Sequence, residues 1–118
     1  MTLSEISGCL SQLWSSWLPG CKGTIAVMNC ESCAEFHAHL FFDTNSSPLA
    51  AGYFLAALPG FQRKMEELRP IGVTAKVIQH LVSREQLDAF ISVERLEGAK
   101  EALLQVFGID INNSGSQQ

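Results

Sequence analysis

The chain has 118 residues, twelve acidic against eight basic side chains, a formal net charge of −4 and a pI near 5.2. That length fits one domain able to bury a core without staples, and 47% hydrophobic against 17% charged residues excludes a disordered chain. The bases Lys22, Arg63, Lys64, Arg69, Lys76, Arg84, Arg95 and Lys100 are scattered apart from one adjacent pair, so the clustered footprint that phosphate backbones require is missing and nucleic acid is not an expected partner.

No apolar run approaches the roughly 20 residues of a membrane span. The longest, Leu49 to Leu58, is closed by Pro59-Gly60, so no membrane is expected. The start, Met-Thr-Leu-Ser-Glu, lacks the basic beginning and apolar core of a secretion signal. The expected location is therefore a reducing cytoplasm, with the four cysteines as thiols.

Thr2 with Glu5 has capping-box form, and Ile6, Leu10, Leu13 and Trp17 recur at helical spacing, which predicts a first helix over residues 3 to 17. Pro19-Gly20 ends it. Gly23 to Asn29 reads as a buried strand, and Ala34 to Phe42 alternates as a second, so the two form an antiparallel hairpin. Ser47 is a good N-cap with Pro48 at the first helical position, opening an apolar middle helix over Leu49 to Leu58. Pro59-Gly60 interrupts it, and Phe61, Met65 and Leu68 line a second helical piece closed by Arg69-Pro70.

Val73 to Val82 is strand-like, with His80 a strand or turn residue. Beyond it two readings compete. Ser83-Arg84-Glu85-Gln86 has capping-box form and would start a helix through Leu87 and Phe90, whereas Phe90-Ile91-Ser92-Val93 is β-prone and would close a second hairpin. The hairpin is the reading adopted. Leu96, Ala99, Leu103, Leu104 and Phe107 form the stripe of an amphipathic last helix capped by Gly108, and residues 112 to 118 form a polar tail expected to be disordered. The expected fold is thus a single α+β domain over residues 1 to 111 in the order α-β-β-α-β-β-α. Its antiparallel sheet has four or five strands, packed by N-terminal, middle and C-terminal helices.

Chemistry concentrates between Cys30 and Phe42, where two cysteines and two of the three histidines fall together. If residues 34 to 42 are extended, Ala34, Phe36, Ala38, Leu40 and Phe42 share a dry face and Glu35, His37, His39 and Phe41 a mostly wet one. The simplest reading makes His37 and His39 solvent-facing strand residues. The alternative is a metal site from Cys30, Cys33, His37 and His39, which have the donor atoms zinc takes. On one extended strand, however, Cys33 and His37 lie about 13 Å apart, so one ion reaches both only if the chain bends.

Cys30-Glu31-Ser32-Cys33 after a buried strand, with Pro70 ahead of the later strand, resembles the thioredoxin-like proteins. That resemblance implies dithiol chemistry, with Cys30 attacking and Cys33 resolving. Glycine-rich phosphate loops are absent and Glu66-Glu67 sits on a solvated helix face, so no motif argues for an enzyme or a cofactor.

The expected function is therefore a non-catalytic, dimeric interaction module, binding another protein, itself or both. The candidate partner-binding residues are Trp14 and Trp17 on the first helix, Tyr53 and Phe54 on the middle one, and Leu103 and Phe107 on the last. By size, acidity and element order the chain resembles two groups of dimeric adaptors, the roadblock-type regulatory modules and the small acidic chaperones of bacterial secretion systems. That resemblance implies an adaptor, regulatory-subunit or chaperone role. The alternative function is a cytosolic thiol-redox or metal-binding protein using the Cys30, Cys33, His37 and His39 cluster.

Overall fold

The structure is a computed structural model and describes residues 2–30, 34–45 and 48–111. Its elements are α1 (Leu3–Trp17), β1 (Gly23–Cys30), β2 (Glu35–Asp43), α2 (Pro48–Leu68), β3 (Thr74–Val82), α3 (Arg84–Glu97) and α4 (Ala99–Phe107). Ser47, the expected cap of α2, and the polar tail 112–118 lie outside the described residues.

Helix α1 begins with a reciprocal cap. The Glu5 N–H donates to Thr2 Oγ1 at 3.1 Å and the Thr2 N–H to the Glu5 carboxylate at 2.8 Å, which satisfies two of the free donors of the first turn. Strands β1 and β2 pair antiparallel, with Gly23 opposite Phe42 and Cys30 opposite Glu35.

The sheet corrects the expected antiparallel four- or five-stranded arrangement. Among the described residues it has three strands in the order β1-β2-β3 and is mixed, because β3 runs parallel to β2 from Glu35 opposite Thr74 to Asp43 opposite Val82. A parallel neighbour needs a long crossover, and α2 provides it. At 21 residues α2 is continuous, not the helix pair expected from Pro59-Gly60. Proline removes one donor, to the Leu55 carbonyl, and Leu55 lies on the half-exposed side, where water can replace the lost bond.

The second hairpin is likewise replaced, by α3. Ser83 Oγ accepts from the Gln86 N–H at 3.1 Å and Gln86 Oε1 from the Ser83 N–H at 3.1 Å, and this cap sets Leu87 and Phe90 on one buried face. Packing of that face outweighs the β-propensity of Phe90 to Val93. The last helical stretch then divides at Gly98 (φ +94°), leaving Leu96 at the exposed end of α3 instead of on a buried stripe.

Helices therefore cover both faces of the sheet. On one, Leu10 and Trp14 of α1 and Phe54 and Phe61 of α2 meet Leu40 and Phe42 of β2. On the other, Leu87 and Phe90 of α3 and Ala102 and Leu103 of α4 meet Met28 of β1 and Phe41 of β2. The β2–α3 corner is tied by Asp43, whose fully buried carboxylate accepts from Arg84 Nε at 2.7 Å and from the Asn45 N–H at 2.8 Å. Burial alone would push this carboxyl up; the Arg84 and Asn45 hydrogen bonds outweigh it and hold it below the ordinary range.

The outer edge of β3 is partly closed by a side chain. Gln62 Nε2 donates to the Ala75 carbonyl at 2.9 Å and Gln62 Oε1 accepts from the Val77 N–H at 3.0 Å, as a neighbouring strand would. Gln62→Ala is expected to cost about 1 kcal/mol in urea unfolding, because both edge groups then fall back on water.

Candidate functional site

The alternation of β2 sends His37, His39 and Phe41 to the face covered by α3 and α4. They are not solvent-facing, as the strand pattern suggested: His37 is 5% and His39 1% exposed. The physical reason is the second pair of helices, which turns the nominally wet face into a second core. His80, one strand over and opposite Phe41 in the parallel register, completes a histidine cluster.

His39 Nδ1 and His80 Nε2 lie 2.8 Å apart in rings only 11° from parallel, with centroids at 5.1 Å, the dimensions of an in-plane imidazole hydrogen bond. Phe41 stacks on His80 at 4.6 Å and 12°, and Phe90 and Phe107 close over Phe41 at 4.3 and 5.3 Å. His37 Nε2 lies 2.9 Å from Glu35 Oε1, and Lys76 Nζ is 3.9 Å from the other carboxylate oxygen.

These bonds fix where the protons sit. A carboxylate only accepts, so His37 Nε2 donates and, in the neutral ring, His37 Nδ1 carries a bare lone pair. On the His39–His80 bond the proton belongs to His39 Nδ1, since the reverse would leave an N–H on His39 Nε2 buried without an acceptor, at a cost of about 1–3 kcal/mol. Both His37 Nδ1 and His39 Nε2 are buried and have no hydrogen-bond partner among the described residues. Burial, with His80 and His37 beside it, lowers the His39 pKa from its ordinary value to about 3, and burial also lowers that of His80.

A second feature lies on the opposite side of the molecule, on the outer surface of α1 and α2. Trp17 is 41%, Tyr53 64% and Leu49 74% exposed. Leu49 and Tyr53 are one turn apart on α2. Trp17 borders neighbouring grooves, among them one of about 260 Å3 lined by Leu18, Pro19, Cys21 and Tyr53 and one of about 300 Å3 lined by Ala56, Ala57, Pro59, Gly60 and Arg63. The indole lies across Gly60, where a Cβ would come within 2.8 Å of it, and meets Phe61 edge-on at 5.1 Å. It is thus braced from below and open above.

Of the candidate partner-binding residues, Trp17 and Tyr53 stand on this surface. Trp14, Phe54 and Leu103 are buried within the chain, and Phe107 is half-buried against the second core. The side chain of Cys30 and all of Cys33 lie outside the described residues, whereas Cys9 and Cys21 are half-buried free thiols. The chain that follows Cys33 runs as strand β2, where the thioredoxin-like resemblance implies a helix. Among the described residues no group of three or more His, Cys, Asp and Glu side chains is arranged to hold a metal ion, and no helix is long and apolar enough to cross a membrane.

Strand-level reasoning missed His80 and Phe90 as cluster members. His80 is 41 residues from His39 and reaches it only through the parallel register, which no local pattern signals. No family model, curated protein or solved structure matches the chain. The observed order α-β-β-α-β-α-α also departs from the order on which the likeness to roadblock-type modules and secretion chaperones rested.

Proposed function

We propose that the protein is a non-catalytic, cytoplasmic interaction module that forms a homodimer through the α1–α2 surface around Trp17 and Tyr53. The carrying observation is that surface: two large aromatic side chains and Leu49 stand open to solvent beside the grooves around Trp17, although the chain's other aromatics are buried or, at Phe36 and Phe107, half-buried. Aromatic anchors of this kind dominate interface energetics. Trp17 is held between Gly60 and Phe61, so ordering it on association costs little.

A second copy is the occupant best suited to the rim. Arg63, Lys64 and Glu67 line its edge together with Trp17, and Lys64 and Glu67 sit 3.4 Å apart. A rim carrying both signs can face its own two-fold copy without like-charge repulsion. Adaptor, regulatory-subunit and small-chaperone roles all employ a module of this kind, and none requires nucleic acid, a membrane or a cofactor.

Sedimentation velocity of the wild type and of Tyr53→Glu tests the reading. The wild type is expected to dimerise, and a charge at this exposed position to weaken the dimer about tenfold or more while leaving circular dichroism unchanged. A wild type that stays monomeric at every concentration, or a dimer indifferent to Tyr53→Glu, would overturn it.

A further inference from the structure

We propose that His37 and His39, with the Met28 thioether beside them, form a binding site for Cu(I). Three observations converge on it. The first is the pair of bare, buried lone pairs at His37 Nδ1 and His39 Nε2. In each ring the other nitrogen is already engaged, His37 Nε2 with Glu35 at 2.9 Å and His39 Nδ1 with His80 at 2.8 Å. That is the outer-shell arrangement of metal-binding imidazoles, in which the second nitrogen is held by an acceptor that fixes the tautomer and raises ligand basicity. A histidine kept only for packing gains nothing from a desolvated lone pair, and leucine would fill similar space without that cost.

The second observation is distance. An ion about 2.0 Å from each nitrogen holds two imidazole centroids at most roughly 6.3 Å apart. The His37 and His39 centroids are 5.9 Å apart, inside that limit, so their separation allows one ion to be shared between the two rings. The third is Met28, 3% exposed and directly opposite His37 in the β1–β2 register. Side chains at directly opposed positions have Cβ atoms about 5 Å apart, so the flexible thioether is within reach of the same point.

The donor set selects the ion. Two neutral imidazoles and a thioether bring no negative charge to the ion; Glu35 and Lys76 stand at the outer nitrogen of His37 as a pair of opposite sign, and the rest of the surroundings are aromatic and apolar. The cost of burying an ion rises with the square of its charge, so a monovalent cation is favoured over a divalent one. Zinc takes four ligands in a tetrahedron, and the described residues offer no such set of His, Cys, Asp and Glu. Cu(I) accepts two or three ligands and suits both imidazole and thioether.

The test is anaerobic titration of the full chain against bicinchoninate, a chromophoric Cu(I) chelator, with His39→Leu, Met28→Leu and the double variant Cys30→Ser/Cys33→Ser alongside. Wild type is expected to withdraw one Cu(I) per chain, and His39→Leu to weaken this by about a hundredfold while remaining folded by circular dichroism. Met28→Leu is expected to weaken it less, and the double cysteine variant to bind as wild type. X-ray absorption of the loaded protein should show nitrogen and a single sulfur scatterer, the latter lost in Met28→Leu. A wild type that takes no Cu(I) from the chelator would overturn the proposal. So would binding that survives His39→Leu but disappears with the two cysteines, which would assign the metal to the thiols.

Discussion

Gly23→Ala is expected to lower the unfolding free energy by about 3 kcal/mol, the upper end of what overpacking costs. Gly23 opens β1, opposite Phe42, and the six-membered ring of Trp14 lies directly on it. A Cβ there would run into both the Phe41 carbonyl oxygen and the Trp14 ring. Neither can yield easily. The carbonyl belongs to the central strand, and Trp14 is 8% exposed, holds the Cys21 carbonyl through Nε1 at 3.2 Å and contacts Phe54 at 5.7 Å between centroids. Relieving the clash means lifting α1 from the sheet. Gly52→Ala is the matched control, because Gly52 is exposed in α2 with nothing within 4 Å of a built Cβ. That change should stabilise by up to about 1 kcal/mol through helix propensity alone. Urea unfolding of both variants checks the contrast, and a neutral Gly23→Ala would show that α1 does not pack over β1 as described.

Acid is expected to destabilise the metal-free protein by about 2 kcal/mol between pH 7.5 and pH 5, from His39 alone. The His39 pKa lies near 3 in the folded chain against an ordinary value of about 6.5. Between those values the unfolded chain takes a proton that the folded one refuses. The stability is thus whole above about pH 7 and is lost progressively as pH falls toward 3. His80, also lowered by burial, and Asp43, held low by Arg84 and Asn45, act in the same direction. Glu94 on α3, pushed up by burial, acts in the opposite one. Glu35 and Lys76 flank His37 at the edge of the cluster. Urea midpoints at the two pH values should differ in wild type, and differ less in His39→Leu, which keeps the His80 contribution; a wild type equally stable at both would refute the buried neutral cluster.

Local signals in the chain carried the elements whose stability is local. The Thr2/Glu5 cap and the helical spacing of Ile6, Leu10, Leu13 and Trp17 specify α1, although the face it buries is Ile6, Leu10 and Trp14, and the alternation of residues 34 to 42 specifies β2 and its hairpin. The sheet was not legible in the same way, since the parallel β2–β3 pairing depends on α2 running unbroken past Pro59, a residue that locally argues for a stop. One misassigned segment then propagated. Reading Phe90 to Val93 as a strand removed α3 from the fold, left one face of β2 without cover and made His37 and His39 look solvent-facing. The i, i+2 spacing of the two histidines was visible; their contact with His80 was not, because it exists only in the parallel register. Trp17 and Tyr53 were legible as aromatic residues on apolar helices, but which side of each helix stays open is settled only once α1 and α2 share a sheet face.

Amide hydrogen exchange of the full chain, measured from low to high protein concentration, tests the proposed interface most directly. The expected result is extra protection at high concentration in residues 13–21 and 49–60, with α3 and α4 exchanging alike at both concentrations. Protection that falls instead along β3 or on α3 and α4, or no dependence on concentration at all, would contradict it.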